Sequence, residues 1–116
     1  MKIERELLKG VLPIAVMRLL NRRAMYGYEL ITQLEGESDG VLKLGQSTLY
    51  PLLYNLQSQG LLEAHWQTES GRKRKYYRLT DDGKRRLVED EAQWRHLVHG
   101  MGKLVNALRL TPRLVS

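Results

Sequence analysis

Three groups of residues in this chain have types and spacings that could do chemistry. The first lies between Gln46 and Gly60, where Ser47, Thr48, Tyr50, Tyr54, Asn55 and Ser58 supply neutral hydrogen-bonding groups with no acid among them. Base edges in a DNA major groove offer acceptors, donors and methyl groups, so an uncharged, donor-rich surface suits them. The same pattern also fits an ordinary amphipathic surface helix. The second group, Arg72-Lys73-Arg74-Lys75, is an unbroken cationic run. Such a run either keeps a solvated loop soluble or neutralises phosphates with release of counterions. The third is His65, His96 and His99. His96 and His99, with Glu89 or Glu91 nearby, make an incomplete ligand set, because transition-metal sites need three or four ligands. No Ser-His-Asp arrangement, Gly-rich phosphate loop or paired carboxylates is readable. No catalytic residue, metal or cofactor is therefore expected.

The elements that must position these groups follow from periodicity. Residues 3–21 predict helix, with Gly10 and Pro13 between two halves, so a new helix starts near Gly10 or one helix kinks there. Residues 26–36 predict a second helix with Leu30, Ile31 and Leu34 buried and Gly36 as its cap. Residues 37–45 form a loop in which Val41, Leu42 and Leu44 suit a short strand. In the third helix Leu49, Leu53 and Leu56 line one stripe, Pro51 belongs to the first turn or bends it, and Gly60 stops it. A helix, a turn and a second helix with donors on its exposed half make a helix-turn-helix. Next, Leu62, Ala64 and Trp66 alternate with Glu63, His65 and Gln67, Ser70-Gly71 turns, and the chain returns through Tyr77 and Leu79. This is a two-stranded hairpin whose cationic tip, directly after a helix-turn-helix, suits a wing along a phosphate backbone.

Thr80 caps a final helix whose first turn holds Asp81 and Asp82, and Thr111-Pro112 is expected to stop it near Leu110. Leu87, Glu91, Trp94, Val98, Met101, Val105 and Leu108 recur at steps of four and three, a heptad seam interrupted by Glu91. The seam packs either on a second copy of the chain, the simpler solution for so long a helix, or back on its own domain. The fold class is thus mainly α within α+β: a winged helix-turn-helix over 1–80, a dimerisation helix over 81–110 and a tail at 111–116.

Composition narrows the partners. The 116 residues carry 19 Lys and Arg against 13 acids, a net charge of +6 that favours a polyanion, with nucleic acid ahead of a membrane surface. All eight aromatics are Tyr or Trp, so each ring carries a polar handle. The absence of Cys fits a reducing cytoplasm. Neither an apolar signal core nor a run of about 20 apolar residues is present, so no membrane association is expected.

These residues together resemble the PadR family of bacterial transcription regulators. The resemblance rests on Leu8-Lys9-Gly10, Tyr26-Gly27-Tyr28-Glu29-Leu30-Ile31, Thr48-Leu49-Tyr50-Pro51-Leu52-Leu53, Gly60-Leu61-Leu62, and Gly71 through Thr80 with Gly83. It implies a homodimer joined through the C-terminal helix and repression of a promoter, relieved in some members by a small molecule. The compact branch carries a Trp lining a dimer-interface pocket for flat aromatic compounds, and Trp94 falls at that place. Many members have basic residues where this chain has Tyr54 and Asn55. On this reading Tyr28, Ser47, Thr48, Tyr50, Tyr54, Asn55, Arg72, Lys73, Arg74 and Lys75 contact double-stranded DNA. Leu87, Trp94, Val98, Met101, Val105 and Leu108 form the dimer seam. The rival function is a winged-helix adaptor that binds protein instead of DNA.

Overall fold

A computed structural model describes the backbone of residues 1–115 and the side chains of residues 1–106. The elements run α1 (Arg5–Leu8), α2 (Leu12–Leu20), β1 (Met25–Tyr26), α3 (Gly27–Glu37), α4 (Gln46–Ser58), β2 (Leu62–Glu69), β3 (Arg72–Leu79) and α5 (Asp81–Val115). The break between α1 and α2 falls at Gly10, and Pro13 enters the first turn of α2, where its missing N–H costs nothing.

Three details differ from the sequence expectation. The hairpin gains a third strand, β1, giving the antiparallel order β1-β3-β2 with Met25 opposite Tyr77 and Tyr26 opposite Tyr76. The 37–45 segment contributes no strand. Its start is set by Ser38, which, in place of Gly36, is the C-cap of α3 and whose Oγ accepts the Leu42 N–H at 2.8 Å. Finally, α5 continues past Leu110 and through Pro112 to Val115.

The core is a single apolar cluster shared by α2, α3, α4, the sheet and the start of α5. Val16, Leu30, Leu49 and Leu53 are wholly buried within it, beside Met17 and Met25. Burying a Leu or Val side chain of this kind stabilises by about 1.5–3 kcal/mol, so these positions fix how α3 and α4 sit on the sheet.

The exit from α4 is built on backbone geometry. Gly60 has φ +77°, the Gly60 N–H donates to the Gln57 carbonyl at 2.9 Å, and the Leu61 N–H donates to the Leu56 carbonyl at 3.0 Å. This pair of bonds satisfies carbonyls that the helix end would leave orphaned. Thr80 then locks the start of α5: its Oγ1 accepts the Gly83 N–H at 3.0 Å and donates to the Gly60 carbonyl at 2.7 Å.

Candidate nucleic-acid interface

Around the α4 axis, the buried stripe Leu49-Leu53-Leu56 leaves Ser47, Pro51, Tyr54 and Ser58 at the centre of the opposite, solvent-facing side. Tyr54 is 75% exposed there. The other expected contacts lie on the flanks. Thr48 and Asn55 turn toward α1 and α5, where they line a cleft of about 580 Å³ with Lys9, Met17, Leu56 and Arg86. Arg5 Nη2 donates to Thr48 Oγ1 at 3.5 Å, and the Asn55 side chain accepts from Gln59, so both are engaged within the chain.

Tyr50 lies on the other flank, against α3. A Cβ built on Gly27 would stand 2.3 Å from the Tyr50 hydroxyl, so the absence of a side chain at Gly27 is what lets the phenol sit there. Tyr28, one residue further on, is 62% exposed beside it. Tyr28, Tyr50 and Tyr54 are thus three exposed phenols, one at the start of α3 and two on α4. Pro51 also bears on this surface. It has no N–H to give the Ser47 carbonyl, so one acceptor of the helix stays without its intrahelical partner on the exposed side.

The cationic run sits within β3 rather than in the turn, and strand alternation splits it. Ser70 and Gly71 both have positive φ, 49° and 77°, a two-residue turn of the kind that closes tight hairpins. Arg72 and Arg74 consequently share one face of the sheet, and Lys73 and Lys75 the other. On the first face, Arg74 and Arg78 are compensated within the protein, whereas Arg72 makes no ion pair among the described residues. Arg74 lies 3.5 Å from Glu69 and 4.5 Å over the Tyr26 ring, Arg78 pairs with Glu63, and the Tyr76 hydroxyl donates to Glu69 at 2.8 Å. That hydrogen bond raises the Tyr76 pKa above the usual phenol range. On the second face, Lys73 and Lys75 make no ion pair among the described residues. Of the four cations expected to act alike, Arg74 is paired with Glu69 and Lys75 Nζ lies 5.6 Å over the Tyr77 ring, while Arg72 and Lys73 make no ion pair among the described residues.

The expected seam on α5 also divides. Leu87 is 2% exposed and belongs to the core of its own domain, so it is removed from the dimer contacts. Glu91 is held by Arg18 of α2 through two parallel bonds, one from Nε at 2.6 Å, and this bond raises the Arg18 pKa. Beyond that tie, Trp94, Leu97, Val98, Met101, Leu104 and Val105 are all exposed on one side of α5. The Leu108 side chain lies outside the described residues. Trp94, 39% exposed, sits at the inner end of this stripe. Among the described residues, no three His, Asp or Glu side chains converge as a metal site.

A helix-turn-helix formed by α3 and α4, followed by a hairpin wing, defines a winged helix-turn-helix protein, the class that presents a helix and a hairpin to duplex DNA. The family model for the transcriptional regulator PadR-like family matches residues 16–89. A PadR family transcriptional regulator from Eggerthella lenta is 45% identical, with 86% of each chain covered and a TM-score of 0.74. A PadR-like transcriptional regulator from Bacillus cereus is 33% identical over 86% of this chain and 96% of that one, with a TM-score of 0.77. A transcriptional regulator of Mycobacterium tuberculosis is 40% identical over 48 residues, 41% of this chain and 45% of its own. The chain belongs to the PadR-like family of transcriptional regulators. No helix among the described residues is long and apolar enough to cross a membrane.

Proposed function

We propose that this PadR-family regulator is a homodimeric repressor that places one α4 of each protomer in successive major grooves of its operator. The observation that carries the reading is the acid-free, exposed side of α4, centred on Ser47, Pro51 and Tyr54, next to a cationic wing. Base edges take hydrogen bonds from the hydroxyls of Ser47 and Tyr54, while Tyr28 and Tyr50 face the flanking phosphates. The exposed stripe from Trp94 to Val105 supports a second copy as the partner, since contiguous apolar surface of this kind marks an interaction site. Two-fold pairing sets the half-sites about one helical turn, roughly 34 Å, apart.

Release by a planar aromatic molecule at Trp94 completes the proposal. A stripe with an indole at its inner end supplies a flat, apolar wall for such a ligand once two copies meet. Retardation of the duplex upstream of its own coding region, together with a dimer in sedimentation, is the expected result. A chain that is monomeric at micromolar concentration, or that retards no duplex at low salt, overturns the reading and leaves the adaptor in its place. Quenching of tryptophan emission by planar aromatics, with loss of the retarded band, tests the effector.

A further inference from the structure

The hairpin outruns the core that supports it. Leu62, Ala64, Tyr77 and Leu79 face the helices and are buried or half-buried. The next positions on that same face are Trp66, directly opposite Lys75, and Thr68, opposite Lys73. They lie on the side of the sheet occupied by α4, but beyond the last core residue. Trp66 is 63% exposed, and no aromatic partner covers it among the described residues. This face of the wing therefore presents one indole, two lysines, one hydroxyl and no acid. The opposite face carries Glu63 and Glu69 against Arg78 and Arg74.

From this arrangement, and resting on the DNA-binding reading above, we infer that Trp66 is a specificity-determining residue that enters the minor groove beside the major groove occupied by α4. The six residue steps from Ala64 to Ser70 span about 20 Å, enough to cross a phosphate ridge. A two-stranded ribbon is wider than the roughly 6 Å minor groove, whereas one flat side chain projecting from it is not. Lys73, on the neighbouring strand one diagonal step from Trp66, faces the phosphates, and Lys75, in register with Trp66 and with its Nζ 5.6 Å over the Tyr77 ring, adds positive charge on that same flank. The indole Nε1–H is a donor with no acceptor capacity. A·T and T·A pairs show only acceptors in the minor groove, while G·C adds an exocyclic donor there. A donor-only ring is satisfied by the first and opposed by the second. Trp66 thus selects A·T pairs in the flank of each half-site, where the narrow groove also concentrates negative potential for the two lysines.

The test uses the wild-type chain beside Trp66→Phe, so that the difference in emission isolates Trp66, and duplexes enriched by the wild-type chain from a randomised pool. Emission from Trp66 is expected to fall in step with band retardation. The wild-type pool is expected to carry A·T-rich flanks that a pool selected by Trp66→Ala lacks. Trp66→Ala should bind the wild-type duplex about tenfold more weakly with its salt slope unchanged, the size of one lost base-edge contact. Lys73→Ala should flatten that slope by about one unit, and Lys75→Ala, whose ammonium already lies over the Tyr77 ring, by less. Trp66 is exposed, so an unaltered thermal midpoint separates these effects from misfolding. Unchanged emission in a retarded complex, or identical flanks in the two pools, overturns the role of Trp66 while leaving DNA binding intact. A wild-type chain that retains no duplex at low salt overturns both.

Discussion

Tyr50 shows how one absent side chain can set a contact surface. The phenol rests over Gly27, and any Cβ there must displace it. Gly27→Ala is expected to leave the fold intact, since the intruding atoms are the far end of a side chain, but to shift Tyr50 and weaken operator binding. Quantitative gel shifts beside thermal melts would check this, and equal losses in both would show a general defect instead. Arg74 provides a second case. Because Glu69 and the Tyr26 ring already engage it, Arg74→Ala should change the salt slope of DNA binding by well under one unit. The hydrogen-bonding types on α4 were legible in the sequence, and so was the cationic run. Their division into two faces was not, because it depends on where the strand starts, and the two-residue turn at Ser70-Gly71 places that start at Arg72. The phenols also predict a pH response. Tyr76, through its bond to Glu69, and Tyr77, through burial, have pKa values raised in the folded chain above the ordinary value near 10. Their contribution is fully present below that value and is lost as pH rises through the folded values. Urea midpoints should therefore fall above about pH 10, and Tyr77→Phe should flatten the decline.

At the scale of elements, the junction of wing and α5 is the tightest point in the chain. A Cβ on Gly83 would stand 2.2 Å from the Leu61 carbonyl oxygen and 2.7 Å from a Leu79 methyl. The backbone on one side cannot yield as a flexible side chain does. Gly83→Ala is expected to destabilise the domain by about 2–4 kcal/mol, read from urea unfolding, with loss of the Thr80 cap geometry. Gly83 was readable only as part of a family resemblance, since nothing in local spacing announces a close approach from residues 61 and 79. Helix ends were legible where the residue type itself is decisive, as with the positive φ of Gly60 and the capping hydroxyl of Thr80. They were misjudged where side chains substitute for glycine, as with Ser38. A two-residue strand such as β1 has no periodicity to detect; only its partner, β3, reveals it.

The whole molecule is elongated, 64 × 28 × 22 Å, because α5 leaves its own domain. The heptad pattern correctly marked apolar positions along that helix but could not say which of them their own domain consumes. Leu87 and Glu91 face α2, and only the positions from Trp94 onward stay uncovered. In the proposed dimer, Val98→Glu with Met101→Glu should therefore give a folded monomer in sedimentation that no longer retards a two-half-site duplex. Leu87→Ala should instead unfold the domain at lower denaturant, by about 2–5 kcal/mol, without a specific effect on association.

The Arg18–Glu91 clasp makes α5 a lever. Some 14 residues of rigid rod, about 21 Å, separate that fulcrum from Val105. A tilt of about 10° at the clasp swings the far end by roughly 3.6 Å, close to the rise of one base pair. In the proposed dimer, whatever nudges the helix at its pivot would thus put the two reading heads out of step with the DNA by a whole rung.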